Sequence, residues 1–254
     1  MTLRTIIIAH RGESHLAPEN TLAAFNLAWK QGADAVELDV HLTADGHLIV
    51  CHDDNTRRTA GRKLVIRQST LADLRALDAG AWKGAQWAGQ KLPTLMEVLD
   101  TIPENRRLFV EVKVGPEAVP ALKKTVEASG KRAEQVVVIG FQPAVIAEVK
   151  RQMPEHRAFL LIDVRPDQRK GRRSPTVEEV IAAAREVKAD GVDLSIGPVV
   201  DRSFVEKLRQ AGLEVYVWTV DSPEVARRLI GFGVAGVTTN RAAWMKEQLA
   251  GGKE

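Results

Sequence analysis

The sequence predicts a closed barrel of eight parallel strands, each followed by a helix, an α/β fold of the (β/α)8 type. Three observations carry that expectation. Short apolar runs rich in β-branched residues alternate eight times with longer stretches of helical composition. The first run is apolar throughout, as a strand of a parallel sheet covered by helices must be. The chain has 254 residues, which one such barrel fills as a single domain.

Arg4 to Ala9 (RTIIIA) reads as the first strand, buried on both faces. Thr21 to Gln31 follows as a helix, with Leu22, Phe25, Leu27 and Trp29 supplying its apolar spacing. Ala35 to Leu42 (AVELDVHL) is the second strand. Asp45-Gly46 marks a tight turn, after which His47 to Cys51 resumes an apolar run that ends at His52. The alternation then pauses. Residues 53–92 carry turn signals, a short helical stretch from Leu71 to Leu77, and Trp82 and Trp87, and read as an insertion between strand two and its helix. The two tryptophans either wall a substrate pocket or pack the insertion onto the barrel.

Regular alternation resumes with a helix from Thr94 to Thr101 and a third strand from Leu108 to Val112. The helix Glu117–Ser129 and strand Val136–Gly140 come next. Then follow the helix Pro143–Gln152, with proline in its first turn, and the strand Arg157–Ile162. Thr176 to Lys188 is helical and Gly191 to Leu194 is a short sixth strand. Asp201 caps a helix that runs to Ala211, before the strand Leu213–Trp218. Ser222 and Pro223 open a helix to Ile230, Val234 to Thr238 is the eighth strand, and Arg241 to Leu249 closes the chain. The loop from Arg165 to Arg173 holds five basic residues and reads as solvated, on the face where anionic substrates or a membrane surface would approach.

Composition narrows the function. A net charge of +3 is a mild bias toward anionic ligands and not a nucleic-acid-binding signature. The single cysteine, Cys51, excludes an intrachain disulfide. No stretch approaches a membrane span and the N-terminal apolar run is too short for a secretory signal, so a cytoplasmic enzyme without stable membrane insertion is expected. No dinucleotide fingerprint and no phosphate-loop lysine motif is present. Monomer and homodimer both remain open.

The polar residues concentrate in the first fifty-three positions: His10-Arg11-Gly12, Pro18-Glu19-Asn20-Thr21, Glu37-Leu38-Asp39, Asp45-Gly46 and His52-Asp53. Side chains alternate along a strand, so Glu37 and Asp39 share one face and Val36, Leu38 and Val40 the other. Two carboxylates on one face of a buried strand repel unless a metal ion or paired bases offset them. Glu111 and Lys113 repeat the same spacing on strand three, as part of the site or as a structural ion pair. His10, Glu37, Asp39, Glu111, Lys113 and Trp218 all fall at or near C-terminal strand ends, where barrels of this type carry their chemistry. An all-oxygen set from Glu37, Asp39 and Glu111 favours one hard divalent cation, Mg²⁺ or Ca²⁺. His10 and His52 suit general acid–base roles, and Arg11 and Lys113 suit non-bridging phosphate oxygens.

This series of motifs resembles the glycerophosphodiester phosphodiesterase family, relatives of bacterial phosphatidylinositol phospholipase C. The resemblance runs on through Pro93-Thr94-Leu95, Glu111-Val112-Lys113, Val217-Trp218-Thr219-Val220 and Thr239-Asn240-Arg241, and so spans nearly the whole chain. It implies that His10 and His52 are the catalytic pair and that Glu37, Asp39 and Glu111 hold the metal. Arg11, Lys113 and Trp218 are expected to contact the substrate, and the resemblance implies that the insertion is a small cap beside the site. The implied substrate is a small glycerophosphodiester. The chain departs from the family at Ala235, where an aspartate is usual, and at His15, which either contacts substrate or lies in a solvated loop. A lipid-cleaving relative acting at membranes is the alternative. It would call for an exposed apolar rim, which the sequence does not clearly show.

Overall fold

The computed structural model describes residues 5–167, 172–197 and 200–251. Its elements in chain order are β1 (Ile6–Ala9), α1 (Leu22–Lys30), β2 (Ala35–Leu42), β3 (Leu48–Val50), α2 (Arg57–Ala60), α3 (Leu71–Arg75), α4 (Leu95–Thr101) and β4 (Arg107–Val112). Then come α5 (Val119–Ser129), β5 (Val136–Gly140), α6 (Pro143–Gln152), β6 (Arg157–Ile162), β7 (Arg165–Asp167), β8 (Arg172–Ser174) and α7 (Val177–Glu186). The chain continues with β9 (Gly191–Ser195), α8 (Arg202–Gln210), β10 (Glu214–Trp218), α9 (Pro223–Phe232), β11 (Gly236–Thr239) and α10 (Ala242–Ala250).

The strands pair in the order β1-β11-β10-β9-β6-β5-β4-β2, and β1 also pairs with β2, which closes an eight-stranded parallel barrel. The predicted fold class is the observed one. β2 is longer than its neighbours. Its last two residues, His41 and Leu42, run beyond the pairing with β4, and β3 adds antiparallel along this end, from Val40 opposite Val50 to Leu42 opposite Leu48. Among the described residues no helix is long and apolar enough to cross a membrane.

Side-chain alternation builds two cores. Val36, Leu38, Val40, Val110 and Val138 face the helices and belong to the large outer core. Ile8, Ala35, Phe109, Val137, Ile139, Phe159, Leu161 and Tyr216 fill the barrel interior, where the Phe159 and Tyr216 rings stack at 4.8 Å. Two residues further along β1, β2 and β4, the interior positions are His10, Glu37 and Glu111. The polar site is therefore the next layer of the barrel above an apolar plug. Helix starts follow the predicted chemistry: the side chains of Thr21, Thr94, Asp201 and Ser222 each accept a bond from a backbone N–H in the first turn.

Residues 53–92 form α2, α3 and short 3₁₀ turns. Ile66, Leu74, Ala79 and Leu92 cluster with Ile49 and Cys51 in a small core of their own. Cys51 lies just past β3 and is 3% exposed, and burial pushes its thiol up to about 12, which excludes it as a nucleophile. The loop after β6 departs from expectation. Its described parts, β7 and β8, pair antiparallel with Arg165 opposite Ser174, so the backbone there is a hairpin.

Candidate active site

The first strand ends in a sharp reversal that its residue types explain. Arg11 has φ 56° and Gly12 has φ 79°, both in the left-handed region. A Cβ on Gly12 would stand 2.6 Å from the carbonyl carbon of Ala24, so only glycine fits against α1. This turn directs the Arg11 backbone N–H to Glu37 Oε2 at 3.0 Å, and the guanidinium back over β2. Arg11 Nε lies 3.2 Å from Asp39 Oδ2, and its Nη1 donates to Glu19 Oε1 at 2.9 Å.

His10 is held from the far end of the chain. Its Nδ1 is 2.7 Å from Asn240 Oδ1, while Asn240 Nδ2 donates to Asp221 Oδ2 at 2.6 Å. The carboxylate fixes the amide orientation, so Oδ1 accepts and His10 carries its proton on Nδ1. Nε2 is left free and lies 4.0 Å from Glu37 Oε2. Burial, and after it the Arg11 charge, lower His10 to about 4, so the ring is neutral near pH 7.

Glu37, Asp39 and Glu111 come from interior positions of β2 and β4, with Asp39 opposite Glu111 in register. All three are buried, and one oxygen from each lies within 4.8 Å of the others. Asn20 Nδ2 donates to Asp39 Oδ2 at 2.9 Å. Lys113 Nζ is 2.6 Å from Glu111 Oε1 and 3.4 Å from Asp39 Oδ1. Asp39 Oδ1 itself has no hydrogen-bond partner. Burial and the charges of Asp39 and Glu111 push Glu37 well above the usual carboxylate range. Burial and then Asp39 raise Glu111 to about 7, against the pull of Lys113. Burial alone would raise Asp39 too, but Arg11 and Lys113 together reverse it and hold it low.

His52 reaches the same place through β3, because Cys51 N–H donates to the Asp39 carbonyl at 3.0 Å. Its Nδ1 lies 2.7 Å from Asp53 Oδ1, and its carbonyl is 3.2 Å from His41 Nε2. Arg58 bonds Asp53 and Glu19 at once, with Nε 2.8 Å from Asp53 Oδ2 and Nη1 2.7 Å from Glu19 Oε2. The Arg58 hydrogen bonds, working against burial, bring Asp53 down to about 2, so His52 has an anionic partner where His10 has a neutral one. A continuous chain of charges thus links His52 through Asp53, Arg58, Glu19 and Arg11 to Asp39.

These groups border a cavity of about 270 Å³. His10, Arg11, Glu37, His52, Glu111 and Lys113 line it, and Ile139, Leu161, Phe141 and Trp218 supply an apolar wall, the last two rings meeting edge-on at 5.7 Å. Asp39 is not a lining residue but belongs to the same carboxylate cluster as Glu37 and Glu111. Every residue proposed for the site from sequence is therefore brought to one place. Trp82, Trp87 and His15 are not among the lining residues: Trp82 is tied to its own turn by Nε1 donating to the Ala79 carbonyl, and His15 is exposed in its loop. The sequence reading named Asp53 and Asn240 within motifs but gave them no role, and passed over Arg58, Asp221 and Asp193. Asp193 carried a signal, being an acidic residue inside a short apolar strand. The others depend on partners distant in sequence or on loop geometry, which residue spacing does not reveal.

The glycerophosphoryl diester phosphodiesterase family model matches residues 10–243. The chain belongs to this family. It is 34% identical over 242 residues to a glycerophosphodiester phosphodiesterase of Caldanaerobacter subterraneus subsp. tengcongensis, covering 94% of this chain and 95% of that one. A glycerophosphodiester phosphodiesterase of Bacillus subtilis is 31% identical over 257 residues, covering 93% of this chain and 84% of its own. Among solved structures, an Oleispira antarctica phosphodiesterase in complex with the product sn-glycerol-3-phosphate superimposes with a TM-score of 0.86 at 26% identity, over 98% of this chain and 97% of that one. Membership makes this family protein a phosphodiesterase-type hydrolase.

Proposed function

We propose that the enzyme hydrolyses glycerophosphodiesters to sn-glycerol 3-phosphate and an alcohol, with one divalent cation held by Glu37, Asp39 and Glu111. The observation that carries this reading is the clustering of three buried carboxylates, one oxygen of Asp39 without a hydrogen bond, beside a cavity that Glu37, Glu111, two histidines, Arg11 and Lys113 border. An all-oxygen set of this kind suits Mg²⁺ or Ca²⁺. When bound, the cation would offset the cluster's charge and polarise the phosphate oxygens. The charges then balance: three carboxylates give −3, and the cation with Arg11 and Lys113 gives +4, leaving +1 for a singly charged diester.

Arg11 would engage a phosphate oxygen through the guanidinium edge not turned to Glu19, and Lys113 as a point charge. Trp218 would cover the substrate's carbon skeleton. His10, neutral and with Nε2 free, is the base. His52, bonded to an ionised Asp53, is the acid. His10 takes the proton of the glycerol hydroxyl next to the phosphate, and His52 gives one to the departing alcohol. The two exchange roles as water opens the cyclic phosphate. An internal hydroxyl needs no separate binding, which favours this route over direct attack by water.

One observation favours a second reading, cleavage of lysophospholipids. The exposed large apolar side chains among the described residues are Leu16, Trp82, Phe141 and Ile196, in the loop after β1, the insertion, and the segments after β5 and β9. All belong to connections that follow strand C-termini, a rim the sequence did not reveal. Assay of glycerophosphocholine, glycerophosphoethanolamine and a 1-acyl lysophosphatidylcholine, with product identification, separates the two. The first reading predicts glycerol 3-phosphate from the deacylated diesters and little lysophosphatidic acid. Lysophosphatidic acid as the main product would overturn it.

A further inference from the structure

Asp193 has no role in the chemistry just described, yet it is placed as if it had one. It sits at an interior position of β9, opposite Leu161 of β6 and Tyr216 of β10, and is 2% exposed. Asp193 is one of the residues lining the cavity, with Ile139, Leu161 and Trp218, and its buried Oδ1 has no hydrogen-bond partner. Other carboxylates of this layer are engaged. Glu37 accepts from the Arg11 backbone, Glu111 from Lys113 and Asp163 from the Ser195 hydroxyl at 2.7 Å. Asp39's spare oxygen belongs to the cation cluster, of which Asp193 is not a member. The Trp218 indole lies close by, its Nε1 donating to the Asp193 carbonyl at 3.3 Å.

A buried carboxyl oxygen without a partner destabilises the fold and needs an explanation. A ligand group supplies one. The surroundings narrow its chemistry: Ile139, Leu161, Phe141 and Trp218 offer an apolar and aromatic wall for a short carbon skeleton, Asp163 and Arg165 of the same lining are paired with each other, and Asp193 keeps an oxygen without a partner for one hydroxyl.

We propose that Asp193 is a specificity-determining residue that hydrogen-bonds the terminal hydroxyl of the substrate's glycerol, the one remote from the phosphate, while Trp218 covers the glycerol carbons. The assignment rests on the glycerophosphodiester reading above, in which the hydroxyl next to the phosphate belongs to His10. Only the terminal one is left for Asp193. A diester lacking that hydroxyl would leave the buried oxygen unpaired. A site built to bond a hydroxyl rejects its deoxy analogue far more strongly than an apolar pocket rejects a size change. Lysophospholipids acylated at that position lack the same group.

The test compares glycerophosphocholine with the matching propane-1,2-diol phosphocholine diester, which keeps the hydroxyl next to the phosphate and lacks the terminal one. The parent should prefer glycerophosphocholine in kcat/KM by about 100-fold or more. Asp193→Leu, close in size, should lose that preference, leave the deoxy diester's kcat/KM within about threefold and raise the thermal midpoint, because a buried unpaired oxygen is removed. Asp193→Asn keeps a hydrogen-bonding oxygen and should retain most of the preference. Equal turnover of both diesters by the parent, or an Asp193→Leu variant that retains the preference, would overturn the proposal. So would loss on both diesters with a lowered midpoint, which marks a structural role. Absence of glycerol 3-phosphate from any diester with the parent would instead refute the glycerophosphodiester reading, and this assignment with it.

Discussion

Protons and a cation compete for the same three carboxylates, so cation affinity must fall with pH in a way the site's electrostatics specify. Glu111 is raised to about 7 by burial and by Asp39. The cation binds its ionised form, so below that pH binding displaces a proton and the affinity falls about tenfold per unit. Between pH 7, where Glu111 is half protonated, and pH 5 it alone accounts for about 50-fold, or about 2.3 kcal/mol. Glu37, also raised, steepens the fall, whereas Asp39, held low, does not add to it. Stability of the metal-free protein is a less direct readout. Folded Glu111 keeps a proton the unfolded chain has lost, so its contribution falls as pH rises from 4.5 through about 7. His10, depressed from 6.5 to about 4, acts oppositely, and its contribution falls as pH drops from 6.5 through about 4. Calorimetric titration of metal-stripped enzyme with Mg²⁺ or Ca²⁺ at pH 5 to 8, in two buffers of different ionisation heat, measures affinity and proton count together. At pH 6 at least one proton should leave per cation bound. An affinity independent of pH with no proton release would refute the reasoning.

His10→Ala and His52→Ala should each lower turnover by roughly 10²-fold or more while leaving the far-ultraviolet circular dichroism of the fold intact. Near-parent turnover would remove that histidine from the mechanism. Arg11→Lys keeps the charge but loses the fork that joins Glu19 to the site, and steady-state kinetics should show kcat/KM reduced by at least about tenfold. A glycerophosphodiester analogue without the hydroxyl next to the phosphate should not be turned over, as followed by phosphorus NMR. Turnover equal to the natural substrate would establish water as the direct nucleophile.

The barrel was readable because each strand is an apolar run and most helices begin at a side chain that caps them, as Thr94, Asp201 and Ser222 do. The carboxylate cluster was readable because strand periodicity puts Glu37 and Asp39 on one face whatever the tertiary arrangement. What escaped depends on long-range partners. Asn240 orients His10 across 230 positions, and Arg58 joins Asp53 to Glu19 across a loop, relations with no local signature. Trp82 and Trp87 stayed open between pocket wall and packing because an aromatic residue in an insertion looks the same in either place, and neither lines the cavity. The hairpin of β7 and β8 brackets residues 168–171, which lie outside the described residues, and its basic composition read simply as solvated loop.

The central claim is metal-dependent release of glycerol 3-phosphate at the Glu37, Asp39 and Glu111 cluster. The direct measurement is an enzyme-coupled assay of that product from glycerophosphocholine, before and after exhaustive chelation and again on adding back Mg²⁺ or Ca²⁺. Activity should vanish on chelation and return with either ion, and Glu37→Gln should not be restored at the same ion concentration. Full activity in metal-free enzyme would contradict the account.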